Sequence, residues 1–368
     1  MQVLITGATG FLGGCTAADL LASDLAAVAL FLVRAPAPAE GLHRVRESLR
    51  RFGAPEARLA TLTEAQIICG DLTDVAAFAG DPRLDRVTHV IHCAAKASFS
   101  NNPAIRTVNV DGTLAFAHRM SRAPKLRRFL HVGTAMACGP NRNPPIVEST
   151  ELAAEEYQLV PYTASKAEVE RRLRTELPGL PLVVARPSIV VGHTRHGVAP
   201  SASIFWVFRM AVMLEKFTVE PDERIDVVPV DYCSRALVAL GLKDRLGHDL
   251  YHISSGEQRS VTFSEFDAAY AKANGSAAIR PRYRKVGLGD LRSLAGELRA
   301  RLGDCNRTIV MRALQLYGAF AQLNYVFDNS RLLAEGLPFP PRFTEYVHEC
   351  VRTSAGVPLA EQMREDFK

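Results

Sequence analysis

The sequence predicts an α/β protein: a doubly wound parallel sheet followed by a smaller, mostly helical lobe. Three observations carry that expectation. Short apolar runs alternate with longer helical patterns through the first half of the chain. A glycine-rich turn joins the first run directly to the first helical pattern. After Gly192 the alternation stops, and helical patterns dominate to the end. The chain has 368 residues, 48% hydrophobic and 23% charged, so it can bury a large core and is not disordered. At roughly 150 residues per domain, that length implies two lobes or one enlarged unit.

The runs Val3–Thr6, Val28–Val33, Gln66–Cys69, His89–Cys93, Phe129–Val132 and Leu182–Ala185 are the expected strands. Phe11–Ala22, Leu42–Phe52 and Pro103–Met120 are expected helices between them. Tyr162–Leu177 carries acidic and basic residues at helical spacing, and Pro178 and Gly179 end it. Further on, Ser203–Phe217 reads as an apolar helix and Asp226–Pro229 as a strand. Tyr232–Leu242 reads as a helix capped by Asp231, and Leu250–Ile253 as a last strand. From Gly256 to Lys368 the pattern is mostly helical, with a proline-rich knot at Leu337–Arg342. Ala35–Gly41 and Gly139–Pro145 read as loops. The expected division is residues 1–192 with a return segment 226–255, against a substrate-side lobe of residues 193–225 and 256–368.

Charge and cysteine usage narrow the function. The net charge of +5 is mild, and the arginine clusters Arg122–Arg128 and Arg280–Lys285 lack a stacking-aromatic motif. That argues against nucleic acid as the main partner. Seven widely spaced cysteines, Cys305 among them, form no CxxC pair, which argues against a disulfide framework or a metal site. A reducing, cytoplasmic compartment is expected. The opening strand runs straight into the glycine turn and leaves no room for a signal peptide. The apolar stretches Ile204–Leu214 and Ile309–Phe327 carry Arg209 and Arg312 and fall short of the roughly 20 apolar residues of a spanning helix. Peripheral membrane contact stays open.

In Thr6-Gly7-Ala8-Thr9-Gly10-Phe11-Leu12-Gly13, Gly7 permits a tight turn and Gly10 lets backbone approach a pyrophosphate. Gly13 lets helix and strand pack closely, and the phosphates rest at the helix N-terminus. Thr9, Phe11 and Leu12 share that turn and are expected at the cofactor. The second strand ends at Arg34, where an NAD-specific site places a carboxylate for the ribose diol. Arg34 instead suits a 2′-phosphate, with Arg44 as a second clamp or a solvated surface arginine. Together they point to NADP(H).

Tyr162 and Lys166 stand four apart on one helical face. A free phenol has a pKa of about 10, and a nearby ammonium lowers it toward the working range. Tyr162 would then protonate a carbonyl oxygen. Thr134, at the end of the fifth expected strand, would hold that oxygen and stabilise developing charge.

These residues together resemble the extended short-chain dehydrogenase/reductase superfamily, with its Rossmann-type sheet. Gly70-Asp71-Leu72-Thr73-Asp74, His92-Cys93-Ala94-Ala95, Asn109-Val110-Asp111-Gly112-Thr113 and Arg186-Pro187-Ser188-Ile189-Val190-Val191-Gly192 occur in that family's order, over roughly the first 260 residues. The resemblance implies that Asp71 and Leu72 flank the adenine, and that Ala94 and Ala95 line the cofactor. Lys96 and Asn109 join the expected cofactor set, and Pro187, Ser188 and Ile189 border the nicotinamide. Tyr162 and Lys166 count among the cofactor contacts too, Lys166 at the ribose.

Leu32-Val33-Arg34-Ala35, Val228-Pro229-Val230-Asp231-Tyr232 and Phe327-Asp328-Asn329-Ser330 resemble the male-sterility branch of fatty acyl-CoA reductases and thioester reductase domains. Gly133-Thr134 departs from that family's usual Ser-Thr pair. The resemblance implies an NADPH-dependent carbonyl reductase of an acyl thioester or its aldehyde. The acyl group would be delivered by coenzyme A or by an acyl carrier protein in trans, since Met1 stands almost at the first strand. The helix around Ile204, Phe205, Trp206, Phe208 and Met210 would line a lipophilic pocket or simply face the core. A hydroxysteroid-type dehydrogenase or nucleotide-sugar epimerase shares the scaffold. A dehydratase would need an Asp-Glu pair where Ala135-Met136 stands. A non-catalytic NADP-sensing protein would have lost the tyrosine or the lysine.

Overall fold

The computed structural model describes residues 1–23, 28–99, 101–140, 142–201, 203–294, 296, 298, 301 and 307–366. Asn141, Cys305 and Lys368, which enter the expectations above, lie outside the described residues.

Seven strands form one parallel sheet: β1 (Val3–Thr6), β2 (Ala29–Val33), β3 (Ile67–Cys69), β4 (His89–His92), β5 (Arg128–Val132), β6 (Leu182–Pro187) and β7 (Leu250–Ile253). Their order across the sheet is β7-β6-β5-β4-β1-β2-β3. Ile5 pairs with Phe31 on one side and Ile91 on the other, so the chain reverses direction across the sheet at β1. In open sheets of this type, ligands bind at the carboxyl ends of the strands beside such a reversal. Here those ends are Thr6, His92, Val132 and Pro187.

The strands are apolar runs rather than alternations because helices cover both faces. On one face α1 (Phe11–Ala22), α2 (Pro38–Arg51) and the later α6 (Val230–Leu242) pack against β1 and β2 through Cys15, Ala18, Val45, Cys233 and Leu237. On the other, α3 (Thr113–Ser121) and α4 (Pro161–Glu176) bury Phe116, Val169 and Leu173 against Phe129. A separate core gathers α5 (Phe205–Leu214), the later α7 (Phe263–Asn274), α8 (Arg307–Ala321) and α9 (Phe343–Ser354). Its centre is aromatic: Phe266 lies 5.0 Å from Phe208 and 5.3 Å from Phe343.

Several expectations change at element ends. The apolar helix runs only Phe205–Leu214, because Glu215 turns left-handed at φ 53 and Lys216–Phe217 pairs with Arg284–Lys285 as a short strand. Pro103–Met120 is not one regular helix. It widens into a π-turn over Thr107–Gly112, where a Cβ on Gly112 would stand 2.4 Å from the Leu72 carbonyl oxygen. Asp231 is not a cap. The helix α6 begins at Val230 behind Pro229, and the Asp231 carboxylate accepts bonds from Thr194 N (3.0 Å) and Thr194 Oγ1 (2.8 Å). The strand expected at Asp226–Pro229 shrinks to Val227–Val228, paired with Ile189–Val190. The loop expected at Ala35–Gly41 ends at Ala37, and Pro38 opens the first turn of α2.

Candidate active site

β1 delivers Thr6 and Gly7 to the carboxyl edge of the sheet. Gly7 has φ +75, and a Cβ there would stand 2.8 Å from the Ala94 nitrogen, so only glycine fits. A Cβ on Gly13 would stand 2.3 Å from the Gly7 carbonyl oxygen. Gly10 N donates to Gly7 O at 2.9 Å, which closes the turn. Thr6 Oγ1 accepts from Ala94 N at 3.1 Å and lies 2.9 Å from His92 Nδ1, locking the ends of β1 and β4 together. No side chain caps α1, so its N-terminus is left to water or an anion.

A groove of about 440 Å³ opens over this turn. Gly7, Thr9, Gly10, Arg34, Arg44, Asp71, Leu72, Ala94, Ala95 and Lys96 all stand on its wall. The Arg34 side chain is 72% exposed, 4.0 Å from the Asp71 carboxylate, and Arg44 donates to the Arg34 carbonyl oxygen. The glycine cradle and the uncapped helix fit the pyrophosphate of a nicotinamide dinucleotide, with three cationic side chains on the same wall.

Phe11, Leu12, Gly13 and Asn109, also expected at the cofactor, stand off that wall. Phe11 packs its ring 6.2 Å from Phe52 and lines a neighbouring recess with Thr9, Gly10 and Arg51. Leu12 packs against the sheet core, and Gly13 is buried beneath the turn. Asn109 is buried in the π-turn, where its Oδ1 accepts from Lys96 N at 2.7 Å. Its Nδ2 donates to Lys96 O (3.2 Å) and Ser165 Oγ (3.0 Å). It fastens the Lys96 strap to α4 instead of facing the groove.

Thr134 and Tyr162 share the wall of a second cavity, of about 280 Å³. Pro161 opens α4, and Tyr162 follows it in the first turn. Lys166, one turn on, is buried and donates from Nζ to the Val132 carbonyl oxygen at 2.7 Å. Burial lowers Lys166 to about 8 and raises Tyr162 to about 12. The expected lowering of the phenol by the ammonium is therefore not what this geometry shows: desolvation governs Tyr162, and the ammonium is turned to the end of β5. Thr134 Oγ1 accepts from Met136 N at 3.4 Å, a weak bond to its own turn.

Ser188 and Ile189 also line this cavity, just beyond Pro187 at the end of β6. The two readings of the apolar helix both hold, on different faces. Ile204, Val207, Phe208 and Ala211, at i, i+3, i+4 and i+7, line the cavity, while Phe205, Trp206 and Met210 lie in the core. Tyr317, Phe320 and Ala321 repeat that spacing at the end of α8 and face the same space, as does Asn324 just beyond it. Their periodicity was the available signal. Phe99 gave none, yet its ring lies 6.2 Å from Tyr162, 5.1 Å from Tyr317 and 5.1 Å from Phe320.

Two buried carboxylates hold the walls. Asp226 accepts from Ser255 N (2.8 Å) and Phe327 N (2.9 Å), and burial raises it to about 6. Glu170 on α4 takes both branches of the Arg186 guanidinium, at 2.9 and 2.6 Å. Arg186 also donates to Ser149 O at 2.9 Å.

Residues 5–237 match the family model described as male sterility protein, a NAD-binding one. The chain belongs to that family. An aldehyde reductase of Aspergillus flavus is 28% identical over 269 residues, covering 68% of this chain and 25% of that protein. The Arabidopsis thaliana protein named "Probable fatty acyl-CoA reductase 5" is 23% identical over 433 residues, covering 89% of this chain and 87% of its own. This chain thus spans about a quarter of the first relative's length and most of the second's. Among solved structures, the terminal R domain from the myxalamid PKS-NRPS pathway superposes with a TM-score of 0.76 at 22% identity, over 96% of this chain and 90% of that one. A thiolation-reductase di-domain from an archaeal non-ribosomal peptide synthetase gives 0.70 at 18%, over 96% and 75%. At these identities the two likenesses are of fold. Among the described residues, no helix is long and apolar enough to cross a membrane.

Proposed function

We propose that this male sterility family member is an NADPH-dependent carbonyl reductase acting on an acyl thioester, bound to coenzyme A or to a separate carrier, or on the aldehyde derived from it. The observation that carries this is the apolar cavity with Tyr162 and Thr134 on its wall. The stretch Ala94–Phe99 connects it to the glycine-turn groove, Ala94 lining one and Phe99 the other. In this reading residues 1–192 and 226–255 form the cofactor half, and residues 193–225 and 256–368 the substrate lobe.

The groove would hold the dinucleotide's pyrophosphate at Gly7, Thr9 and Gly10 and its 2′-phosphate at Arg34 and Arg44, with Asp71, Leu72, Ala94, Ala95 and Lys96 alongside. Bound there, the reduced nicotinamide supplies hydride to the carbonyl carbon. Ser188 and Ile189 border its ring. Tyr162 gives its phenolic proton to the carbonyl oxygen, for which a phenol that stays protonated at neutral pH is well suited. Thr134 holds that oxygen and stabilises its developing charge. Lys166, held at the Val132 carbonyl oxygen, would anchor the ribose. Phe99, Tyr317 and Phe320 exclude water from the phenol.

The cavity suits an acyl group better than a nucleotide sugar. Its charged wall residues are engaged: Asp226 by two backbone N–H groups, and Arg224 by the Glu257 and Ser260 carbonyl oxygens. The test is NADPH oxidation against octanal, octanoyl-CoA, a ketosteroid and a nucleotide sugar. Oxidation with octanal or octanoyl-CoA is expected, and turnover confined to the sugar or the steroid overturns the assignment. Arg34→Ala should raise KM for NADPH roughly ten-fold and leave KM for NADH unchanged, since one exposed charge-assisted contact is removed. Equal effects on both cofactors would remove Arg34 from the phosphate.

A further inference from the structure

The cavity beside Tyr162 offers about 280 Å³ and is open to solvent on one side. At about 30 Å³ for each water-sized group, that space holds about nine heavy atoms. Two helices fix its width. α5 presents Phe208 and Ala211, and α8 presents Phe320 and Ala321. The aromatic rings are held by their neighbours: Phe208 lies 5.0 Å from Phe266 and 5.2 Å from Phe343, and Phe320 lies 5.1 Å from Phe99 on the same wall. Rings packed in this way yield little, so room depends on the positions where each helix carries a small residue. Those positions are Ala211 and Ala321. Each methylene added to a bound chain leaves water until the space is full. The next one must stay in solvent or push against a packed wall, and neither outcome improves binding.

We infer that this chain takes carbonyl compounds whose apolar part is one chain or ring of about nine heavy atoms, with Ala211 and Ala321 setting the limit. The inference rests on the reading of this cavity as the acyl site and adds its size.

Trp206 is the single tryptophan of the chain, and its indole meets the ring of the wall residue Tyr317 edge-on at 5.1 Å. Its fluorescence therefore reports filling of the cavity without any turnover. Titration of the whole chain with butanamide, octanamide and dodecanamide should show affinity rising to octanamide and no further. Ala211→Leu should weaken octanamide at least ten-fold while sparing butanamide, since a confining pocket discriminates by roughly ten-fold or more per methylene. Phe320→Ala, at a half-buried position that opens the wall instead of filling it, should make dodecanamide the tightest ligand. Affinity that climbs steadily to dodecanamide in the native chain overturns the size limit. So does a profile that neither variant moves, or the absence of binding by all three amides. Octanal turnover with NADPH is scored separately. The expected amide profile without turnover leaves the size limit standing and refutes the reductase assignment, whereas turnover with a flat profile refutes the limit alone.

Discussion

In the groove over the glycine turn, main chain makes much of the wall: Gly7, Gly10, Ala94 and Ala95 bring backbone to the surface, and Arg34, Arg44 and Lys96 add charge. In the cavity beside Tyr162 the wall is side chain, drawn from Phe99, Ser188, Val207, Asp226, Phe263 and Phe320, which lie in six separate stretches of the sequence. The first arrangement suits a ligand recognised by its phosphates, which need N–H groups and cations close by. The second suits a ligand recognised by shape and by the water it displaces. Variants should therefore split into those that alter cofactor affinity and those that alter turnover or the chain's stability, and each measurement below can break that division.

Tyr162→Phe carries the largest expected effect. It removes one hydroxyl from the cavity wall and keeps the ring that packs near Phe99. Loss of a positioned general acid should lower kcat for carbonyl reduction by about 10²–10⁴-fold. The NADPH dissociation constant should move far less. If affinity fell as steeply as the rate, the phenol would belong to the groove as much as to the cavity.

The contrast in materials also explains what was legible in the sequence. Gly7 and Gly13 are required by backbone contacts within a few residues or with one neighbouring strand, so the turn, its strand and its helix were visible from spacing alone. The seven strands were visible for a related reason: burial on both faces leaves each mostly apolar, interrupted only at residues such as His92, His131, Arg186 and His252. Side-chain placement was harder. Asn109 stood in a recognised motif, but the π-turn points its amide at Lys96 and Ser165. The Lys166 ammonium reaches the Val132 carbonyl, a contact set by how α4 lies across β5. The apolar helix around Ile204–Met210 was legible as a pocket wall or a core helix, but not which face turned toward Tyr162: of the residues named for it, only Ile204 and Phe208 line the cavity. Phe99 lies in irregular chain and has no period to read. The departure at Gly133 gains a physical setting too. A Cβ there would stand 3.3 Å from the Arg186 Cγ, in a space the buried arginine already crowds.

That arginine supports the next prediction. Glu170 and Arg186 are each 1% exposed, and their two bonds tie α4, which carries Tyr162 and Lys166, to β6, which leads into Ser188. Glu170→Gln leaves a buried guanidinium without its charge partner. A pair broken in this way costs about 3–5 kcal/mol, which denaturant unfolding of the purified chain should register. The loss should be felt on the cavity side as poorer kcat in whatever remains folded. An unchanged unfolding midpoint would mean that water or Ser149 compensates fully and that the two elements are held by other contacts.

Asp226 gives the smallest expected effect and the one specific to pH. Its folded-state value is raised by burial from 3.8 to about 6, against two backbone N–H bonds that act the other way. Between those values the folded chain keeps a proton that the unfolded chain has released. Stability tied to this group is thus fully present below about 4 and declines as pH rises to about 6, by about 3 kcal/mol in total. Asp226→Asn removes the titration but turns an amide donor toward one of the two N–H groups, so the variant should be less stable at pH 4. The gap should then narrow as pH rises through that window, because only the native chain meets the growing cost of burying a charge. Unfolding midpoints of both chains at half-unit pH steps measure this directly. A gap that widened with pH would show that the carboxylate is held charged by Ser255 and Phe327, and that the cavity wall carries a buried anion facing its acyl ligand.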